Sequence, residues 1–355
     1  MIDVLVVEDS AVVREFLLYI LGSDPLIRVI GTARDGEEAL DAMSRLKPHV
    51  ITMDIHMPRL NGLEATRRIM ETTPVPIVIV SGSDDPSEVV STFDAMEAGA
   101  VAMLKRPAGL GHPEHEAMAR ELVNTVKAMA EVKVIRRWPK GRPGAATRAP
   151  TAMGLASAPG RPRIVAIGAS TGGPPVLLAI LAGLPKDFPL PVTIVQHMAS
   201  GFSDGFIEWL GQSSALPIQL GGHGDTLQAG RAYLAPDGHH MTVTRSGRIV
   251  LNQEVPENGL RPAVSALFRS IAENYGGEAI AGLLTGMGRD GADELRLLKD
   301  KGAITFAQDK ETSVVHGMPG EAIRLDAAML VLPAEKIAAV LTNLAKNGHA
   351  REEKS

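Results

Sequence analysis

Residues 164–174 read IVAIGASTGGP. The apolar run is rich in β-branched residues and too short for a buried helix, so it reads as a buried strand starting at Ile164. It ends in Ser170. Gly172, Gly173 and Pro174 then turn the chain into a helix expected to begin near Pro175. A serine held between a strand end and a helix start is exposed, and it faces backbone N–H groups that have no intrahelical partner. An oxyanion forming there would lie within reach of those donors, which suits a nucleophile. A phosphate-binding glycine turn and a plain strand–helix connection fit the same residues, and this stretch does not separate the three.

Downstream, strands and helices alternate. Residues 191–196 read as a strand ending at His197, and 202–210 as a helix. Residues 232–235, 241–243 and 248–251 read as shorter strands, expected to form an antiparallel excursion. A helix over 262–275 follows. A strand over 279–284 then enters TGMGRDG, residues 285–291. Residues 294–301 read as helical, and Asp290 is expected to cap the helix that begins at Gly291. Three more elements are a strand at 303–307, a short helix at 319–324 and a strand at 329–331. A helix over 334–346 closes the series.

Ser170, His197 and Asp290 follow three different strands of one sheet, so they can converge. A hydroxyl becomes a useful nucleophile when a base takes its proton; imidazole does so near neutral pH, and a carboxylate fixes the working tautomer. Chain order does not matter to such a triad. Each residue also has a plain reading: a turn hydroxyl, one of ten histidines, a helix cap. Spacing alone leaves both readings open.

The N-terminal residues repeat the alternation. Strands are expected at 2–7, 27–31, 49–53, 76–80 and 100–104. Helices are expected at 11–21, 36–46, 62–70, 86–98 and 112–130. Five strands alternating with five helices imply a parallel sheet covered on both faces, with functional groups beyond the carboxyl ends of the strands. Those ends carry Glu8, Asp9, Asp54, Ser81 and Lys105. Three carboxylates in one crevice repel one another unless a cation joins them, and oxygen ligands with open positions suit Mg²⁺. The lysine and the hydroxyl beside them could hold phosphoryl oxygens.

Composition sets the outer limits. Of 355 residues, 45% are hydrophobic and 22% charged, as in globular proteins. The N-terminus lacks a basic segment, so no signal peptide is read, and no apolar run is long enough to span a bilayer. Without cysteine there is no disulfide or thiol chemistry, which suits a reducing cytoplasm. The eight Lys/Arg of residues 133–163 face no acid; taking them out of the net charge of −5 leaves −13 for the rest. Acidic domains and the lack of a helix-turn-helix pattern argue against nucleic-acid binding. The basic stretch, rich in Pro and Gly, reads as a linker, with Trp138 as a residue that could dock on a domain.

The domains are therefore set at 1–130, a linker at 131–162, a second domain at 163–346 and a polar tail at 347–355. The fold class is α/β: an N-terminal (βα)5 unit and a doubly wound, mostly parallel second sheet.

Residues 1–130 resemble a two-component receiver domain, through Glu8-Asp9-Ser10, Asp54 with Met57-Pro58 and Gly62, Ser81, and Lys105 with a nearby proline. The resemblance implies phosphorylation of Asp54 by a chemotaxis histidine kinase. It implies Mg²⁺ held by Glu8, Asp9, Asp54 and the backbone carbonyl of His56, with Ser81 and Lys105 on the phosphoryl group. Arg106 stands between Lys105 and Pro107, where the family has Lys-Pro. Ala102 replaces an aromatic, which puts the usual aromatic-rotation part of the switch in question.

Residues 163–346 resemble the catalytic domain of the chemotaxis protein-glutamate methylesterases, the CheB family. The matches include GASTGG at 168–173, VQHM at 195–198, YLAP at 233–236, Arg261-Pro262, LTGMGRDG at 284–291 and GMP at 317–319. The resemblance implies Ser170 as nucleophile, His197 as base and acid, Asp290 as its orienting partner, and Thr171 with the Met287 backbone at the oxyanion or substrate site. It also implies a monomeric cytoplasmic enzyme that needs no cofactor for ester chemistry. The substrates would be glutamate methyl esters and particular glutamines of methyl-accepting chemoreceptors, with the unphosphorylated receiver covering the active site. Ser265 and His316 depart from the family pattern, and both are expected to alter substrate fit. The competing reading is a response regulator whose second domain acts by binding protein without catalysis.

Overall fold

Short apolar runs become the strands. In the first unit of the computed structural model these are β1 (Ile2–Val7), β2 (Ile27–Ala33), β3 (Val50–Met53), β4 (Ile77–Ser81) and β5 (Ala102–Lys105). The inner strands β3 and β4, and β1 over Val4–Val7, are buried on both faces, which explains why they read as continuous apolar runs and not as alternating ones; the edge strand β2 is only partly buried. They pair in parallel in the order β2-β1-β3-β4-β5. The helices between them are α1 (Ala11–Gly22), α2 (Gly36–Arg45), α3 (Gly62–Thr72), α4 (Pro86–Ala98) and α5 (His115–Met129). Polar side chains fix the starts of α1, α2 and α3. Asp35 accepts from the N–H groups of Glu37 and Glu38, and Asn61 from that of Glu64.

The structure describes residues 1–82, 86–132, 134 and 161–349. Most of the linker expected over 131–162, Trp138 included, lies outside the described residues. The chain divides into two compact units.

The second unit carries β6 (Ile164–Ala169), α6 (Gly173–Gly183), β7 (Val192–Gln196), α7 (Ser203–Ser213), β8 (Ile218–Leu220), β9 (Ala232–Leu234), β10 (His240–Val243) and β11 (Ile249–Asn252). It continues with α8 (Val264–Asn274), a 3-10 turn at Gly276–Glu278, β12 (Ala279–Leu283), α9 (Ala292–Asp300), β13 (Ile304–Gln308), α10 (Met318–Arg324), β14 (Leu330–Leu332) and α11 (Ala334–His349). Helix α11 runs past residue 346, where the second domain was expected to end; residues 350–355 lie outside the description. Seven strands form one parallel sheet, β14-β13-β12-β6-β7-β9-β8. The chain leaves β6 toward β7 and later returns to its other side as β12. The strand order therefore reverses at β6, the place where open α/β sheets form a crevice.

One expectation is corrected here. Residues 232–235 are not part of an antiparallel excursion: β9 lies in the parallel sheet, between β7 and β8. Among the strands of the described residues, β10 and β11 pair antiparallel, as a separate two-stranded sheet. The edge strand β8 was not foreseen, because three residues, Ile-Gln-Leu, are too few to show a period. The core beneath the crevice is apolar, with Val195, Leu267, Phe268, Ile271, Leu283 and Leu295 buried together.

Candidate active site

Register brings the candidate residues together. Gly168 pairs with Leu283 on one side and Val195 on the other. The ladder ends with His197 N–H donating to Ala169 O at 2.9 Å and Ser170 N–H to Thr285 O at 3.0 Å. Ser170, His197 and Thr285 therefore leave three adjacent strands at the same level. After Ser170 the chain bends through Gly172, whose φ of 78° is left-handed. A Cβ there would also meet Val314 Cβ at 2.6 Å. Helix α6 starts one residue later, two before the expected Pro175.

His197 Nε2 lies 2.9 Å from Asp290 Oδ2, and both side chains are largely buried. Pairing through Nε2 leaves Nδ1 as the nitrogen available to a hydroxyl. Among the described residues Ser170 Oγ makes no hydrogen bond, to His197 or to any other group. Free-enzyme contacts of this kind are commonly loose and tighten with substrate.

Asp290 does not cap the helix that follows it. Gly291 stands at that N-cap in a left-handed turn, and α9 begins at Ala292. The carboxylate instead caps α8: it accepts from Val264 N–H at 2.6 Å and Ser265 N–H at 3.1 Å, the first two donors of that helix. The Ser265 hydroxyl donates to Asp290 Oδ1 and accepts from Gly291 N–H at 3.2 Å. Ser265 was expected to alter substrate fit; its buried hydroxyl lies on the Asp290 carboxylate. Burial alone would push the Asp290 carboxyl up. The hydrogen bond and positive charge of His197, with the Ser265 and Val264 donors, outweigh burial and hold the group below the ordinary aspartate range.

Several residues that hold the site together were missed. Gln196, buried at the end of β7, donates through Nε2 to the carbonyls of Ser170 (2.9 Å) and His197 (2.8 Å). The Thr285 hydroxyl donates to Thr171 O at 2.9 Å and accepts from Val315 N–H. Gln308 accepts from Thr285 N–H at 2.8 Å. Their one available signal was position: Gln196 and Gln308 are polar residues ending otherwise apolar strands. Met287 is 47% exposed on the loop after β12, and Thr171 is half-buried beside Ser170. His316 lies next to the same loop, bridged to Gly286, and burial is the main cause that lowers its pKa.

In the first unit, Glu8, Asp9 and Asp54 each present an oxygen within 4.8 Å of the others. Glu8 and Asp54 are buried. Burial, reinforced by the Asp54 charge and opposed by Arg106, pushes Glu8 up to about 7. Burial likewise raises Asp54, against Arg106 and the N–H groups of Ile55 and His56. Glu8 Oε2 is buried without a hydrogen-bond partner; the Arg106 guanidinium stands 3.6 Å away, outside hydrogen-bond reach. An orphaned oxygen beside two further carboxylates is a donor set that fits a hard divalent cation. These groups, with Ser10, His56, Ser81, Gly82 and Arg106, line a cavity of about 340 Å³. Lys105, paired in register with Ser81, is not in that lining; Arg106 is. Gly62 is needed here, because a Cβ would run into the Asp54 carbonyl oxygen.

An acidic crevice on a (βα)5 sheet, followed by a doubly wound domain with a serine, a histidine and an aspartate at its switch point, defines a response regulator with a hydrolase-type output domain. The comparisons agree. Residues 4–112 match the response regulator receiver domain and residues 165–341 the CheB methylesterase. A protein-glutamate methylesterase/protein-glutamine glutaminase of Nitrosospira multiformis is 63% identical over 97% of both chains. One from Geobacter metallireducens is 59% identical over 97% of this chain and 99% of its own. The CheB methylesterase catalytic domain of Thermotoga maritima superposes with a TM-score of 0.50 at 39% identity, over 52% of this chain and 98% of that domain. The chain belongs to the CheB methylesterase family, in which a receiver precedes a methylesterase domain. No helix among the described residues is long and apolar enough to cross a membrane.

Proposed function

We propose that the chain is a phosphorylation-controlled protein-glutamate methylesterase and protein-glutamine glutaminase acting on the cytoplasmic helices of methyl-accepting chemoreceptors. The observation that carries this reading is the buried His197–Asp290 pair beside an unbonded Ser170 hydroxyl at the switch point of the sheet. Ser170 Oγ attacks the ester carbonyl while His197, held through Nε2, takes the proton at Nδ1. The oxyanion lies at the start of α6, where the Thr171 and Met287 backbones are the candidate donors. His197 then returns the proton to the departing methoxide. Methanol leaves, and an acyl-enzyme remains. Water, deprotonated by His197, releases the glutamate carboxylate and restores Ser170. A glutamine side chain follows the same path with ammonia as leaving group. None of these steps needs a cofactor.

The receiver supplies the control. Asp54 accepts a phosphoryl group from a chemotaxis histidine kinase. Glu8, Asp9, Asp54 and the His56 carbonyl would hold Mg²⁺, which neutralises the crowded carboxylates and the incoming phosphoryl charge. Ser81 and Lys105 are the candidate phosphoryl contacts, and Arg106, lining the cavity, joins them. The test is mass spectrometry of methylated receptor peptides after incubation with wild-type chain or Ser170→Ala. Loss of methyl groups only with Ser170 present is expected. Retention of every methyl group with a matched receptor would favour the protein-binding output domain.

A further inference from the structure

We infer that Gln196 is a positioning residue that sets the spacing of the nucleophile and its base. The inference rests on the serine-hydrolase reading above and deepens it. The sheet ladder that holds the turns of Ser170 and His197 together ends at the bond from His197 N–H to Ala169 O. Beyond that point the side chain of Gln196 provides the link. One nitrogen, Nε2, donates to Ser170 O and to His197 O, so both N–H bonds of the amide point at main-chain carbonyls of the two residues whose side chains must meet. The Ser170 carbonyl also accepts from Gly173 N–H at 2.8 Å, which ties the start of α6 to the same point.

The chemistry of the amide explains why glutamine stands here. Turned around, its oxygen would face two carbonyl oxygens. In the orientation present, Oε1 is buried without a donor, so the two donations are what hold the group. Oε1 lies against Gly173, where any Cβ would collide with it. A carboxylate at 196 would repel both carbonyls, and an apolar side chain of the same length would bond neither.

The test uses the full chain and the isosteres Gln196→Met and Gln196→Glu. Methanol release from methylated receptor membranes gives kcat and KM, and the rate at which a fluorophosphonate labels Ser170 is read on the same samples. Labelling depends on the Ser170–His197 geometry and not on the receptor. Displacing the nucleophile by about 1 Å costs roughly 100-fold in rate. Gln196→Met is therefore expected to lower kcat and labelling in the folded fraction by about 10- to 100-fold, with KM within twofold; the two lost hydrogen bonds also lower the unfolding midpoint. Gln196→Glu should lose at least as much near neutral pH. A packing role alone would lower the unfolding midpoint and leave the kcat of the folded fraction intact. Wild-type kcat and labelling in the folded fraction of either variant would overturn the inference; so would a rise in KM alone. A wild-type chain that is labelled at Ser170 yet releases no methanol would sink the receptor-esterase reading. The labelling rates of the variants would then still decide the role of Gln196.

Discussion

Asp290→Asn separates the two jobs of one carboxylate. The wild-type group accepts four protein donors, two on each oxygen: Val264 N–H and His197 Nε2 on Oδ2, Ser265 N–H and its hydroxyl on Oδ1. An amide has only one oxygen. Whichever way it turns, its NH2 faces one of the two α8 donors, so one buried N–H is left unpaired at a cost of about 1–3 kcal/mol in stability. The catalytic loss is larger, because the imidazolium formed as Ser170 attacks would face a neutral group. A fall in kcat of about 10³- to 10⁴-fold, or roughly 4–5.5 kcal/mol, is expected. The assay is methanol release from methylated receptor membranes beside urea unfolding of the same preparations. The pH dependence of stability supplies a second check. Since the folded Asp290 carboxyl is held below its ordinary value of 3.8, its contribution is present above that pH and is lost as pH falls through the folded value. The stability gap between wild type and Asp290→Asn should therefore shrink under acid. A variant within tenfold of wild-type kcat, with its unfolding unchanged, would refute the role assigned to Asp290.

Asp54→Asn should keep basal esterase activity and lose all stimulation by a small phosphodonor, read as methanol release with and without acetyl phosphate. Mg²⁺ at about 100 times its Kd should stabilise the receiver by about 2.7 kcal/mol, and Glu8→Gln should remove most of that thermal shift. Arg106→Ala takes a positive charge from beside Glu8 and should tighten Mg²⁺ binding by about three- to tenfold, measured by calorimetry; unchanged affinity would place the guanidinium outside the cation's field. Gly286→Ala would put a Cβ 2.7 Å from Ser170 Cβ and 2.5 Å from Met318 Sδ. It should cut kcat while the chain stays folded by circular dichroism.

Most of the fold was legible because both large sheets are parallel and their inner strands are buried on both faces, so those strands stand out as apolar runs between helical patterns. The hidden parts share a physical cause. Strand β8 is too short to have a pattern, and β9 is as short as the hairpin strands beside it, so its pairing partner could not be read. The candidate site residues were legible where they end strands: Ser170, His197, Glu8, Asp9 and Asp54. Asp290 was legible as a residue but not as a cap. Sequence proximity pointed to α9, whereas the left-handed turn at Gly291 sends the carboxylate to α8. Ser265 and Gln196 act through contacts distant in sequence, which no local spacing encodes. Arg106 could be read as an insertion before Pro107, but only the structure places it in the acidic cavity.

The most direct test of the account measures methanol release from methylated chemoreceptor membranes by the full chain, with and without a phosphodonor and Mg²⁺, beside Ser170→Ala and Asp54→Asn. The account predicts release that requires Ser170, rises with the phosphodonor, and no longer rises in Asp54→Asn. Release that persists in Ser170→Ala, or that rises equally in Asp54→Asn, would contradict it.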